Sequence, residues 1–235
     1  MKICAIIPIL KNKIFEDITY RELKAAARPD VEITVDSIER GPASIESMYD
    51  DEMSVEPVLE KVKEAEKKGF DAVIIDCMLD PGLEAAREIV DIPVIGPCQS
   101  SMAIASTLGD KFGMVALLDR AIPLFWRMAK RFGYENRVAS IRAISVPVLE
   151  IEIKKDKVKS DLLKESKKVL QDGADTIILA CTGLIGIARE LQEALKVPVV
   201  DPGVAPLKIA EILVDLKLSQ SKIVYPKPPK KEIRI

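Results

Sequence analysis

The sequence predicts an α/β fold of two similar parallel-sheet subdomains related by a pseudo-twofold axis, with a cleft between them. Three observations predict it. Short, almost wholly apolar runs alternate with longer amphipathic stretches along the 235 residues, which is the mark of βαβ units. The apolar runs lack an inside/outside alternation, as expected of strands covered on both faces. The chain also matches itself: GFDAVIIDCMLDPG (69–82) aligns with GADTIILACTGLIG (173–186), placing Cys77 over Cys181 at an offset of 104. IPVIGP (92–97) aligns in the same way with VPVVDP (197–202). A period this long excludes a solenoid and indicates one α/β unit used twice.

Taken in order, KICAIIP (2–8) reads as a buried strand, 14–27 as a helix, and VEITVDSI (31–38) as a second strand. Residues 41–54, with Gly, Pro and several carboxylates, read as a loop, and Ser54 as the N-cap of a helix over 55–68 that stops at Gly69. The strand 71–77, a helix over 82–90, the short strand 93–96 and a helix over 100–108 complete the first unit. The second runs through strand 112–118, helix 120–132, strand 137–144, helix 158–172, strand 175–181, helix 184–195 and strand 198–201, with a last helix at 204–216. On the helix 120–132, Ile122, Phe125, Trp126 and Ala129 form an apolar stripe read as core. The tail 225–235, rich in Pro and Lys, is expected to lie extended over the surface or to fray. The subdomains are expected to comprise 1–97 with 203–235, and 98–202.

Composition narrows the chemistry. A formal net charge of −2 gives no footprint for nucleic acid, and no polybasic amphipathic stretch points to a membrane. The N-terminal apolar run is too short for a span and lacks a small-residue cleavage site, so a cytoplasmic protein is expected. The composition is compatible with a homo-oligomer. Only two asparagines beside abundant Lys and Glu suggest heat adaptation. With no histidine, Ser–His and Cys–His catalysis are excluded. The four cysteines, Cys4, Cys77, Cys98 and Cys181, form no CxxC pair, which argues against structural zinc and a disulfide framework. No metal is expected.

Cys77 and Cys181 fall at the carboxyl ends of corresponding strands, where open parallel sheets bind ligands. The helix starts that follow are expected to lower both thiol pKa values. Two thiols facing one small ligand from opposite sides have the geometry that inversion of a carbon centre needs. One thiolate removes a proton, and the other thiol returns one to the opposite face, with no cofactor. Amide N–H groups of Met78, Leu79, Thr182 and Gly183 are placed to hold the intermediate enolate. Cys4 and Cys98, without such twins, read as small buried hydrophobes.

GPASIESMYDDE (41–52), DCMLDPGLEAARE (76–88), FGMVALLDRAIPLFWRMAKRFG (112–133), VASIRAISVPVLEIE (138–152) and ACTGL (180–184) together resemble the hydantoin racemases of the aspartate/glutamate racemase superfamily. The resemblance covers roughly 1–215 and implies cofactor-independent racemisation of a small cyclic amide or ureide, hydantoin- or allantoin-like. By position it makes Cys77 and Cys181 the catalytic pair, and it matches Gly82 to a turn of the first motif. The chain departs from the family at Ile7-Pro8-Ile9-Leu10 (usually Asn-Pro-Asn-Thr), at Ala116-Leu117 (usually hydroxyl residues) and at Cys98-Gln99 (usually Gly-Glu). Such changes imply a more apolar pocket, with Pro8, Ser44 and Gln99 as further substrate contacts and Ser100 and Ser101 as replacement donors. The stretch 41–54, with Tyr49, Asp50, Asp51 and Glu52, reads either as a lid or as an acidic solvated loop. An aspartate or glutamate racemase, and a non-catalytic small-ligand-binding protein, are the alternatives.

Overall fold

A computed structural model describes residues 1–232, so the last three residues of the predicted tail lie outside the described range. The first half contains β1 (Lys2–Leu10), α1 (Lys13–Ala26), β2 (Glu32–Ile38), α2 (Met48–Lys67), β3 (Ala72–Ile75), α3 (Leu83–Ile89), β4 (Val94–Ile95) and α4 (Pro97–Leu108). The second contains β5 (Phe112–Ala116), α5 (Ile122–Arg131), β6 (Val138–Ala143), α6 (Lys155–Gln171), β7 (Thr176–Leu179), α7 (Ala188–Leu195) and β8 (Val199–Val200), before α8 (Val204–Asp215).

These strands form two four-stranded sheets of identical topology, β2-β1-β3-β4 and β6-β5-β7-β8, with every pairing parallel. The duplication in the sequence is therefore a duplication of architecture. Every residue of β3, β5 and β7 is buried, which explains their unbroken apolar character. Helices cover both faces of each sheet, and α8 returns to pack on α1, α4, β3 and β4. Cys4 and Cys98 are buried among apolar side chains, in keeping with their reading as core.

Two expectations need correction. The helix expected from 55 begins at Met48, and its N-cap is Ser47 rather than Ser54. The Ser47 hydroxyl oxygen accepts from the Asp50 N–H, while the Asp50 carboxylate accepts from the Glu46 N–H. The pair satisfies one of the unpaired N–H groups of the first turn, that of Asp50, and the Glu46 N–H just ahead of the cap. Ser54 instead lies buried inside the helix, its hydroxyl donating to the Asp51 carbonyl. On α5 the buried side chains are Leu124, Phe125, Met128 and Ala129. The stripe is rotated from the one expected, leaving Trp126 exposed.

Beyond α8, the chain from Ser219 to Lys227 does not fray. The Ser219 hydroxyl donates to the Asp91 carbonyl, the Lys222 ammonium to the carbonyls of Arg87 and Val90, and Lys227 pairs with Asp91. This strap closes over one end of the first sheet. Among the described residues, no helix is long and apolar enough to cross a membrane.

Candidate active site

Each cysteine leaves its sheet on a tight turn. After β3, the Asp76 N–H still donates to Ile6 of β1 (2.8 Å), and the Asp80 N–H then donates back to the Cys77 carbonyl (3.0 Å). Asp80 adopts a left-handed conformation (φ 50°), which costs a non-glycine residue energy that its side chain offsets. Its carboxylate accepts from the N–H groups of Cys98 (3.0 Å) and Gln99 (3.1 Å), capping α4. A Cβ on Gly96 would lie 2.5–2.6 Å from that carboxylate, so glycine is required for the approach. The turn carrying Cys77 is thus fastened to the next helix.

After β7, the Leu184 N–H donates to the Cys181 carbonyl (3.0 Å) within a single 3-10 turn, Thr182–Leu184. Gly183 packs so closely that a Cβ there would meet Ile151 at 2.8 Å and the Cys181 sulfur at 3.5 Å. The Thr182 hydroxyl reaches across to the Asp76 carbonyl (3.1 Å), joining the two turns. Both cysteines keep part of their surface open to the cleft between the sheets.

Two small adjoining pockets share Ile45, Cys77, Val148, Cys181 and Thr182. One extends past Pro8, Phe15, Thr19 and Asp76, the other past Met78, Leu79, Leu117 and Phe125. Their walls are mostly apolar. The polar groups are the two thiols, the carboxyl-bearing side chains of Asp76 and Glu46, and the hydroxyls of Thr19 and Thr182. Among the described residues, no lysine or arginine lines either pocket.

The electrostatics reverse one expectation. Burial pushes the Cys77 thiol well above its ordinary range, and the charge of Asp51 raises it further; the Leu79 N–H donates to the sulfur and opposes this. Burial likewise pushes Cys181 up to about 12, against the Gly183 N–H and with the charges of Asp76 and Glu46. No helix dipole dominates, because α3 begins only at Leu83 and a single 3-10 turn follows Cys181. The predicted depression of the thiol pKa values does not occur, and desolvation decides the sign. Asp76 is buried and raised to about 7 by burial and the charge of Asp201, although Thr19 and Thr182 hydrogen-bond to its carboxylate.

Of the residues expected to contact a ligand, Pro8, Met78, Leu79, Thr182 and Gly183 line the cleft. The amides of Leu79 and Gly183 face the sulfurs. Gln99 does not reach it: its side chain accepts from Arg87 (2.7 Å) and lines a separate cavity with Ser100. Ser101 is fully buried with an unpartnered hydroxyl, so neither serine stands in as a donor. Ser44 is half-buried and lines neither pocket; the neighbouring Ile45 and Glu46 do. The Glu46 carboxylate accepts from the Val148 N–H of the other subdomain (2.8 Å), and Ile45 and Val148 line the same pockets as the two thiols. Tyr49 to Glu52, read as loop or lid, belong to α2, and Asp51 is buried.

Sequence reasoning missed Asp76, Thr19, Glu46 and Val148. For Asp76 a signal existed: the internal repeat sets it over Ala180. A charged residue whose duplicate is alanine, at a buried strand end, calls for a functional reason.

The model of the Asp/Glu/Hydantoin racemase family matches residues 16–210, which include both turns and both cysteines. The chain belongs to this family. It is 41% identical over 211 residues to the hydantoin racemase of Pseudomonas sp. (strain NS671), covering 89% of this chain and 85% of that protein. Two solved structures share its architecture closely. The allantoin racemase from Klebsiella pneumoniae superposes with a TM-score of 0.95 at 30% identity, covering 100% of this chain and 96% of that one. The allantoin racemase from Pseudomonas fluorescens gives 0.94 at 31% identity, with both chains covered in full. As a member of this family the protein is a racemase, an isomerase acting on a small molecule.

Proposed function

We propose that the protein racemises a neutral five-membered cyclic amide of the hydantoin or allantoin type, using Cys77 and Cys181 as its two bases and no cofactor. The observation that carries this reading is the shared cleft: two thiols from duplicated turns, Asp76 and Glu46 beside them, and no cation in the lining. An aspartate or glutamate ligand would bring two carboxylates into a pocket that already holds two acidic side chains. That repulsion, in a low-dielectric site without a guanidinium or ammonium partner, disfavours the amino-acid alternative. A neutral ring escapes it, and its N–H groups suit the carboxyl-bearing side chain of Asp76.

In this reading one cysteine, as thiolate, removes the proton from the ring carbon between carbonyl and ring nitrogen. The electron pair passes to the carbonyl oxygen, and the opposite thiol protonates the planar carbon from its own side. Each sulfur ends in the protonation state the other began in, so the reverse direction starts from the product complex. The amides of Leu79 and Gly183 stabilise the sulfurs, leaving those of Met78 and Thr182 for the developing oxyanion. Ile45 and Val148, held together by Glu46, keep water from the carbanion.

The test is exchange of the ring proton in heavy water, followed by NMR, with 5-substituted hydantoins, allantoin, aspartate and glutamate. Exchange is expected for the cyclic ligands only. Cys77→Ser and Cys181→Ser should each reduce racemisation by at least about 10²-fold, the usual scale of a positioned acid or base. Full racemisation in either variant sinks the two-base mechanism. Binding of a cyclic ligand without any exchange would favour a non-catalytic binding protein.

A further inference from the structure

We propose that a second cavity, built around the buried Arg87 and remote from the thiols, binds a small monocarboxylate with an apolar body. Arg87 lies on α3 and is only 6% exposed. Its Nε donates to the Val94 carbonyl (3.1 Å), one terminal nitrogen to the Gln99 amide oxygen (2.7 Å), and the other to the Tyr225 hydroxyl at a long 3.4 Å. A guanidinium carries five N–H groups, so two remain for another acceptor. All three acceptors are neutral. A buried cation held by neutral groups alone keeps most of its desolvation cost, which an anion would relieve.

Among the described residues, no aspartate or glutamate lines the cavity that the guanidinium faces. Its polar lining comes from Arg87, Gln99, Ser100, Tyr134 and, on the strap, Gln220, Ser221 and Tyr225. The Gln220 amide oxygen is already occupied by the Val94 N–H (2.9 Å), which leaves its NH₂ for a ligand. Ile95, Phe132 and Leu213 supply an apolar wall opposite this donor set. Asp80, which feels the charge of Arg87, does not line the cavity and spends its oxygens on the amides of Cys98 and Gln99. One cation with an apolar wall suits a single carboxylate better than a doubly charged phosphate. The guanidinium fork matches two carboxylate oxygens, and the Tyr225 ring stacked on its face, 5.5 Å from Cζ, holds the fork in place.

The strap after α8 contributes Gln220, Ser221 and Tyr225, so the site is assembled by the same segment that Lys222 and Lys227 fasten to the first subdomain. This makes the strap a wall of a binding site as well as a surface tie.

Calorimetric titration of the full chain with benzoate and isovalerate, beside benzamide, isovaleramide and inorganic phosphate, tests the assignment. Both carboxylates are expected to bind saturably and their amides at least tenfold more weakly. Arg87→Gln should abolish binding, and Tyr225→Phe, a milder change, should weaken it severalfold with the circular dichroism spectrum unchanged. Binding should persist in the Cys77→Ser/Cys181→Ser double variant, which separates this cavity from the thiol cleft whatever that cleft accepts. Equal binding of acids and amides would overturn the proposal, as would absence of carboxylate binding, preference for phosphate, or loss of binding in the double cysteine variant. If Arg87→Gln fails to fold, Arg87→Lys replaces it. Unaltered affinity in both Arg87→Lys and Tyr225→Phe would also overturn it.

Discussion

Both thiols ionise far less readily than a free cysteine, and their surroundings explain why. Each sulfur accepts one backbone N–H yet sits in a mostly apolar cleft beside a carboxyl group. Such a thiol is a poor nucleophile at neutral pH because the thiolate is scarce. A thiolate formed there is correspondingly a strong base, suited to a weakly acidic carbon. Alkylation by iodoacetamide should therefore be slow at pH 7 and rise about tenfold per pH unit without levelling by pH 9. Because the charge of Asp51 raises Cys77, and Asp51 is not among the groups raising Cys181, Asp51→Asn should speed alkylation of Cys77 alone. Peptide mapping of the alkylated protein separates the two sites. A plateau near pH 8 in the wild type would show that solvent or backbone donors outweigh burial.

At the scale of elements, the first turn of α2 links stability to the cleft. The Ser47–Asp50 pair fixes where the helix starts, and the residues just before it, Ile45 and Glu46, form part of the roof. Ser47→Ala should cost about 1 kcal/mol in chemical denaturation, the usual value of a side-chain cap. It should also raise KM more than it lowers kcat, since it loosens the roof without touching the thiols. Most of the architecture was legible beforehand because parallel strands buried on both faces write continuous apolar runs, and the duplication repeats them. The start of α2 was misread because its first residues, with Ser47, Asp50 and Asp51, have the polar composition of a loop; only the spacing of Ser47 and Asp50 betrays the cap. The cysteine pair was legible through the repeat. The Glu46 bridge to Val148 was not, since it joins residues 102 apart in sequence through a backbone N–H, which leaves no compositional trace. Gln99 was misassigned for a related reason: its position after a strand suggested the cleft, but the buried guanidinium of Arg87 turns its side chain the other way.

For the whole molecule, the division into two sheets around a cleft concentrates buried carboxyl groups at their junction. Asp51, Asp76 and Asp80 are each raised to about 7, with burial the first cause in every case, and Asp201 is raised as well. In the unfolded chain such groups titrate near pH 3.9. Between about pH 4 and 7 the folded protein therefore binds more protons than the unfolded chain, and its stability falls as pH rises through that window. Surface aspartates oppose this only at lower pH. Asp91, Asp172 and Asp215 are held below the usual range by Lys227, Arg142 and Arg28, so their contribution is present above pH 4 and lost below it. The melting temperature should accordingly be higher at pH 5 than at pH 8, and differential scanning calorimetry across that range checks the slope. Asp51 offers the cleanest control, because one of its oxygens is buried without a partner, and burial with the charge of Glu52 outweighs the charge of Arg131. Asp51→Asn should raise the midpoint at pH 8 well beyond its smaller rise at pH 5 and so flatten the profile. A midpoint that instead climbs from pH 5 to pH 8 would mean these carboxyls are ionised in the native protein. The cleft would then carry more negative charge, making each thiol harder to ionise and strengthening the exclusion of carboxylate-bearing substrates.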